Sequence, residues 1–595
     1  MYSLTQKMLH LTWLMLGLSL LLPWSLVAAE GDYRFTGVER VVAVGDIHGA
    51  YDEFVALLRG TGLVDEELGW SGGRTHLVST GDLLDRGDYG RQVMDLLMRL
   101  QEEADAAGGA VHVLLGNHEV MNLVGDLRYV SDGDYAQFGA ENRRGLPAGY
   151  HARRAAFAPD GEYGRWLLDL PVAIVVNDSL FVHGGISSRL EGLSLATLND
   201  TARRDVRTVA TAWHELRTLG EFSDTDDFGA ILARAPQLAQ SSDPRIRQLG
   251  LDIKAALDGL PFTPDGPLWY RGSVRCNPLA ETAVVDRVLA PLGARRVVVG
   301  HTPTEERRIT SRLDGRVIRI DTGMNRAAYQ GQPAALLIEE GERTAWMPAT
   351  GPVAIEVEPN RIWDRPHGMS NAEIERFLLT AEVVGSEPLD ETVPARRRVT
   401  LAQGDRQLRA TFNTVDAAPR LREGRWSRRG DGAERYSNQV AAYRLDQLLA
   451  LDMVPVTVER EIDGNRGALR LWIEDSFSEA ERQAGGRSPR SDCPLPTQFN
   501  LVAIFDLLIF NAEHDFASLR YDDYGQLWLL DQLQAFGLER DVRGMLRRAE
   551  LEISPQLAAA LAGITEERAA GLLPYLHPRQ VQALVTRAAQ LGSPP

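Results

Sequence analysis

The sequence predicts an α/β fold for the first half of the chain and an α+β fold for the second, on three observations. Short valine-rich runs alternate with helical text from Glu39 to Glu119, each run ends directly in a polar cluster, and after residues 351–369 the pattern changes to β-like segments followed by long helices. At 595 residues the chain is long enough for two separate cores. The resulting division is a targeting segment at 1–29, a first domain at 30–350, a Pro-, Asn- and Gly-containing linker at 351–369 and a second domain at 370–595.

In the targeting segment Lys7 supplies a positive start, Leu11 to Leu22 an apolar run, and Val27-Ala28-Ala29 a small-residue cleavage pattern. Cleavage after Ala29 and a periplasmic or secreted location are expected. Pro23 interrupts the run short of the roughly 20 apolar residues that a bilayer span needs, and no later stretch qualifies, so no stable membrane span is expected in the mature chain. A formal net charge of −18 disfavours a grip on nucleic acid, which depends on cationic side chains neutralising phosphates. Only Cys276 and Cys493 are available to an oxidising compartment, and the sequence leaves open whether they pair.

In the first domain the β runs are Val41 to Val44, His76 to Thr80 and Ala110 to Leu115, continued by Ala173 to Val176 and Leu180 to Val182 and closed by Arg296 to Val299 and Arg316 to Ile320. Leu190 to Leu260 reads as a helical insertion able to cap a site. Polar residues gather at the strand C-termini, the edge of an α/β sheet where neighbouring loops converge on one crevice. Asp46 and His48 of Gly45-Asp46-Ile47-His48-Gly49 share one side of an extended segment. Asp82 offers a carboxylate able to bridge two cations roughly 4 Å apart. Asn117 offers an amide oxygen, and His183 and His301 add imidazoles just after β runs. A carboxylate and imidazole set without thiolate suits a pair of Mn, Fe or Zn ions. By contrast His76 and His112 lie within strands and read as core or edge histidines.

The motifs Gly-Asp-Ile-His-Gly, Gly-Asp-Leu-Leu-Asp-Arg-Gly, Gly-Asn-His-Glu and His-Gly-Gly resemble the signatures of the phosphoprotein phosphatases among the calcineurin-like metallophosphoesterases. Residues 116–130, the block Gly266 to Gly272 and Asp321-Thr322-Gly323 resemble the bacterial Shewanella-like branch. The resemblance implies a β-sandwich flanked by helices. One metal would be held by Asp46, His48 and Asp82, the other by Asp82, Asn117, His183 and His301, with metal-activated water attacking phosphorus and no phosphoenzyme. It implies that Arg86 and Arg271 clamp phosphate oxygens and that His118, oriented by Asp85, protonates the leaving group. Leu115 stands where eukaryotic members carry Arg, and Pro303 where nuclease-like relatives carry a second His. The latter points toward phosphomonoesters: a phosphoprotein first, with a small-molecule or nucleotide phosphatase as the alternative. The choice among phosphoserine, phosphothreonine and phosphotyrosine stays open.

The second domain reads as β text at Val399 to Leu401 and Arg409 to Phe412, a helix from Glu434 to Leu451, a helix from Phe499 to Phe510 and then Leu527 to Asp531. This order resembles the atypical kinases of the secretory-pathway group. The positions that would carry phosphoryl transfer hold Asn413, Gln439, Glu513, Ser518 and Asp531, of which Asp531 alone matches. The expectation is a pseudokinase that binds or positions, with a nucleotide as its candidate ligand; a working phosphatase–kinase fusion is the alternative. Arg396-Arg397-Arg398 and Arg425 to Arg429 are local positive text.

Overall fold

The computed structural model describes residues 33–593 apart from 142–144, 225, 359–365, 390–392, 394, 418–433, 490–491, 512–513, 524 and 550. The targeting segment, Glu513, Arg425 to Arg429 and part of the linker therefore lie outside the described residues.

Strand Arg40–Val44 pairs in parallel with His76–Ser79, and that strand with Ala110–Val113, each followed by a helix that returns the chain. The strands Ala173–Val176, Ser179–Val182, Arg296–Val299 and Val317–Arg319 do not extend this sheet. They belong to a second, seven-stranded layer, while the open edge beside Arg40–Val44 is taken antiparallel by Ala335–Glu339 in a six-stranded sheet. The reason is visible in burial. Val41, Val42, Ala43 and Val44 are all buried, as are Ala173 to Val176, so each run needs apolar cover on both faces and two stacked sheets with outer helices supply it. Gly351–Ala354 and Glu356–Val357, inside the stretch read as linker, pair with the two sheets at Glu342–Met347 and Thr310–Arg312.

The insertion forms helices Leu195–Thr218, Phe228–Leu238 and Pro244–Leu257. They carry a small core of their own around Trp213, Leu216, Ile231 and Ile253, and Val209 and Ala256 pack on Val124. His112 Nε2 and His76 Nδ1 are 3.0 Å apart against Phe35. Burial lowers both, His112 to about 3, so the pair is neutral and structural.

The C-terminal domain is a distinct α+β unit. Its five-stranded antiparallel sheet includes Arg396–Gln403, Arg406–Asn413 and Asn465–Leu471. Helix Tyr436–Leu449 packs on that sheet, and helix Leu495–Ile509 leads to a three-stranded sheet ending at Leu527–Leu529. Phe412, Tyr443, Leu469 and Phe505 centre its core. Among the described residues no helix is long and apolar enough to cross a membrane.

The domains are joined along helix Pro278–Leu289 and the turn before it. Asn277 caps that helix through its Oδ1 while its Nδ2 donates to Ala450 O and Leu451 O at 3.0 and 3.1 Å. Ser554 Oγ donates to Leu279 O, and Cys276 and Cys493 form a disulfide with Cα atoms 5.5 Å apart. The pairing that the sequence leaves open is made between domains.

Asp446 gives the second domain a testable pH dependence. Burial, aided by the charge of Asp452, pushes its carboxyl up to about 8, although it accepts hydrogen bonds from Met453 N and Val454 N. The folded state therefore holds a proton that the unfolded chain has already released, and this contribution to stability falls as pH rises from about 4 to about 8. The slope approaches at most about 1.4 kcal/mol per pH unit. Calorimetry of the full chain and of Asp446→Asn across that range should show the variant with the flatter pH dependence; parallel curves would show that Asp446 is ionised in the fold.

Candidate metal centre

Both sheets deliver their polar residues to one edge. Asp46 and His48 follow strand Arg40–Val44, Asp82 follows His76–Ser79, Asn117 follows Ala110–Val113, His183 follows Ser179–Val182, His301 follows Arg296–Val299 and Asp321 follows Val317–Arg319. His48, Asp82, Asp85, Arg86 and His301 all have left-handed backbones, with φ of 48°, 52°, 70°, 69° and 66°. Such conformations cost on the order of 1 kcal/mol or more for non-glycine residues. They turn each chain sharply off its strand and aim the side chain across the edge. Two glycines are set by close approach: a Cβ on Gly116 would lie 2.3 Å from Asp82 Oδ1, and one on Gly300 2.4 Å from Asp46 Oδ1.

The donors form two clusters that share Asp82: His48, Asp82 and His118, and Asp82, His183 and His301, with donor atoms within 4.8 Å of one another in each. His48 Nδ1 bonds Leu84 O at 2.8 Å and His183 Nδ1 bonds Thr80 O at 2.9 Å, which fixes both rings with Nε2 facing inward. His183 Nε2 lies 3.0 Å from Asn117 Oδ1, 3.2 Å from His301 Nδ1 and 3.4 Å from Asp82 Oδ1. Asp46 Oδ2 is 3.9 Å from His48 Nε2. The sequence-derived ligands thus meet in one place.

The electrostatics of the cavity call for cations. Burial, with the charges of Asp321 and Asp82, raises Asp46 well above the carboxylate range, and burial lifts Asp321 to about 6. Burial would raise Asp82 too, but the surrounding imidazoles of His183, His118 and His48 hold it well below. His301 Nε2 and Asp321 Oδ2 are buried with no hydrogen-bond partner, a costly arrangement unless a cation accepts their lone pairs. Carboxylate, imidazole and amide donors without thiolate, the cysteines being bridged to each other, fit a pair of transition-metal ions.

Around this centre His118 Nδ1 bonds Asp85 Oδ2 at 2.6 Å, and Asn122 Nδ2 holds Asp85 Oδ1 at 3.0 Å. Burial pulls His118 down, but Asp82 and the hydrogen bond to Asp85 outweigh it and carry the imidazolium to about 9. Arg86 is exposed and lies over Tyr129, with Cζ 4.3 Å from the ring centroid. Tyr329 stacks on His48 and places its hydroxyl 3.2 Å from Nε2. Arg271 stands at the rim, and Asp492 of the second domain lies 3.9 Å from it while also pairing with Arg275.

Sequence reasoning missed Glu119, Asp321, Tyr129 and Tyr329 as parts of the site. Glu119 is wholly buried and accepts from the backbone N–H groups of Asp82, Leu83 and Gly116, each at 2.8 Å, clamping two of the ligand loops together. Its place in Gly-Asn-His-Glu and the strand-end position of Asp321 were the available signals. The tyrosines carried none.

In the second domain Asn413, Gln439, Ser518 and Asp531 line one cavity of about 300 Å³. Asn413 Nδ2 donates to Gln439 Oε1 at 3.3 Å, and Ser518 Oγ donates to Asp515. Arg396, Arg470 and Arg520 line the same cavity. Arg470 donates to Leu530 O; burial lowers it to about 10 against the opposing pull of Asp531.

Comparison with known proteins agrees with this geometry. The calcineurin-like phosphoesterase family profile matches residues 39–305. An uncharacterized protein of Schizosaccharomyces pombe is 30% identical over 309 residues, covering 51% of this chain and 78% of the relative. The chain belongs to the calcineurin-like phosphoesterases. Shewanella-like protein phosphatase 1 of Plasmodium berghei is 29% identical over 299 residues, 49% of this chain and 69% of the relative. Among solved structures, the cold-active protein-tyrosine phosphatase of a psychrophilic Shewanella is 28% identical, with a TM-score of 0.40 over 54% of this chain and 82% of its own. With the fold and the paired donor clusters, membership makes this phosphoesterase a metal-dependent hydrolase.

Asp82→Asn should abolish hydrolysis of an aryl phosphate and lower bound metal measured by elemental analysis. Glu119→Gln, which touches no cation, should weaken metal affinity by about 10- to 100-fold through the loops it clamps. Full activity in Asp82→Asn, or after exhaustive chelation, would contradict the metal centre.

Proposed function

We propose that this chain is an exported phosphoprotein phosphatase that loses its first 29 residues, and that phosphotyrosine is the side chain its site favours. The observation that carries this reading is the set around the metal centre: a His118–Asp85 pair on one side and Arg86, flanked by Tyr129 and Tyr329, on the other. The names of relatives as protein phosphatases support the phosphoprotein substrate. The ring of Tyr129, 37% exposed, gives an aryl group an apolar wall beside the arginine.

The ligands Asp46, His48, Asp82, Asn117, His183 and His301, with Asp321 behind them, would hold two cations of the Mn, Fe or Zn class; when bound, such a pair supplies a Lewis acid and a water acidified toward neutral pH. The chain's own groups do the rest. Arg86, with no ion-pair partner among the described residues, presents its guanidinium fork to phosphate oxygens, its orientation set by the Tyr129 ring. His118 carries a proton at Nε2 toward the oxygen that leaves, and Asp85, bonded to Nδ1, keeps the ring charged and aimed. Arg271 reaches the rim with part of its charge answered by Asp492, so the second domain contributes to the wall of the phosphatase site. Phosphomonoesters suit this arrangement. A panel of phosphopeptides, nucleotides and a phosphodiester on metal-loaded protein tests the substrate; preference for the diester or for nucleotides would overturn it. N-terminal sequencing of the protein from the periplasm should begin at Glu30.

The second domain, in this reading, is a kinase-like binding module without phosphoryl transfer. A neutral amide pair, Asn413 and Gln439, occupies the place where transfer needs a cation held by a carboxylate, and Ser518 is committed to Asp515. A nucleotide is the ligand whose phosphates would meet Arg396, Arg470 and Arg520. The full chain carrying Asp82→Asn, which removes background hydrolysis, should transfer no label from ATP to itself or to a generic acceptor. Transfer that Asp531→Ala abolishes would make the domain a working kinase.

His118→Asn should cost about 10²- to 10⁴-fold in turnover of alkyl phosphates and much less with an activated aryl phosphate, whose leaving group needs little protonation. Metal content should hold. Equal losses on both substrates together with metal loss would make His118 a ligand instead. Arg86→Ala should raise KM and lower kcat together.

A further inference from the structure

A second cavity, of about 230 Å³, lies at the other end of the helix that begins with Asn117 and His118. It is enclosed by the end of that helix, by helix Tyr150–Ala156 and by helix Leu195–Thr218. In a chain of net charge −18 its walls carry His151, Arg153, Arg154, His214 and Arg217 and no carboxylate, Arg153 being paired at 2.7 Å with Asp134 outside the lining. Arg217 is paired at 2.6 Å with Asp224, which lies outside the lining. Arg154 donates to Tyr150 Oη and Asp224 O, and its charge has no carboxylate partner among the described residues. Burial and the charge of Arg154 lower Arg217, and both guanidinium groups lie near the Trp213 ring, at 5.8 and 5.3 Å. Two like charges held together at a half-buried wall favour an anion between them.

Three more lining atoms are unanswered there. His151 Nε2, Asn122 Oδ1 and Arg153 Nη2 are buried with no hydrogen-bond partner. Asn122 is 4% exposed, and its orientation is fixed because Nδ2 donates both to Asp85 Oδ1 at 3.0 Å and to His118 O at 2.8 Å. Its Oδ1 therefore needs a donor. The cavity thus offers cationic donors together with one buried acceptor. An oxyanion that keeps a proton at neutral pH satisfies both, and a fully ionised one such as sulfate does not. The volume corresponds to about eight waters at roughly 30 Å³ each, ample for a tetrahedral ion and its hydration.

We propose that this cavity is a binding site for inorganic phosphate, held by Arg154, Arg217 and His151 and donating its P–OH to Asn122 Oδ1. The site sits behind the proton-delivering pair, since Asn122 grips the carboxylate that orients His118. Loading Oδ1 polarises the amide and strengthens its donation to Asp85. Phosphate released by hydrolysis, on the reading of the metal centre given above, would in this way act at a place distinct from the one where it is formed.

The test is calorimetric titration of the full chain with inorganic phosphate after the metals have been removed by chelation. Chelation takes away hydrolysis and any metal-held phosphate, so surviving binding that Arg154→Gln or His151→Gln removes reports this cavity whatever becomes of the substrate reading. One saturable phosphate is expected per chain, with sulfate at least tenfold weaker. Arg154→Gln and His151→Gln, on adjoining turns of the same wall, should each weaken phosphate at least tenfold, and Arg154→Lys, which keeps the charge, by less than about threefold. If Arg154→Gln fails to fold, His151→Gln reads the same loss. A phosphotyrosine peptide in place of phosphate should give no binding that Arg154→Gln removes; if it does, the cavity takes the phosphoryl group of a substrate and the assignment to free phosphate falls. Absence of saturable binding, equal affinity for sulfate, or binding unchanged in both variants would overturn the site.

Discussion

Asp82 is a carboxylate buried among three imidazoles, and the rest of the first domain is arranged so that it can stay ionised there. Its own burial opposes the charge, and His48, His118 and His183 offset that opposition from three directions. The rings are fixed by backbone carbonyls at Leu84 and Thr80 and by Asp85. The backbone under Asp82 is left-handed and is held by Glu119, which joins it to the next ligand loop. Asp82 belongs to both donor clusters, so an error in its placement would damage both at once.

This constraint accounts for the two-layer architecture. One sheet delivers Asp46, His48, Asp82 and Asn117, and the other delivers His183, His301 and Asp321, so neither sheet could build the centre alone. The parallel strands all run toward the shared edge, and the antiparallel ones close the flanks. The strained φ angles of His48, Asp82, Asp85, Arg86 and His301 arise at that edge because a strand that simply continued would carry its side chains past the crevice. Packing of the valine-rich strands supplies the stability that holds those angles in place.

The second domain is more than an appendage to this edge. The Cys276–Cys493 bridge and the Asn277 contacts fix it next to Arg271, and Asp492, one residue before the bridge, answers that arginine directly.

The sequence by itself determined which polar residues meet at the shared edge, because each follows a short apolar run and local chain geometry places strand-end residues there. It determined the strand positions closely, as with Ala173–Val176 and Arg296–Val299, because β-branched runs bounded by turns leave little choice. Only the tertiary structure decided which sheet each strand joins, since that depends on which edge is left open once Ala335–Glu339 has paired with Arg40–Val44. The same holds for Glu119 as a clamp, Tyr129 as the wall beside Arg86, the cysteine bridge between domains, and the cationic cavity behind Asn122. Each joins residues that become neighbours only when distant helices and loops pack, which composition and periodicity along one chain do not encode.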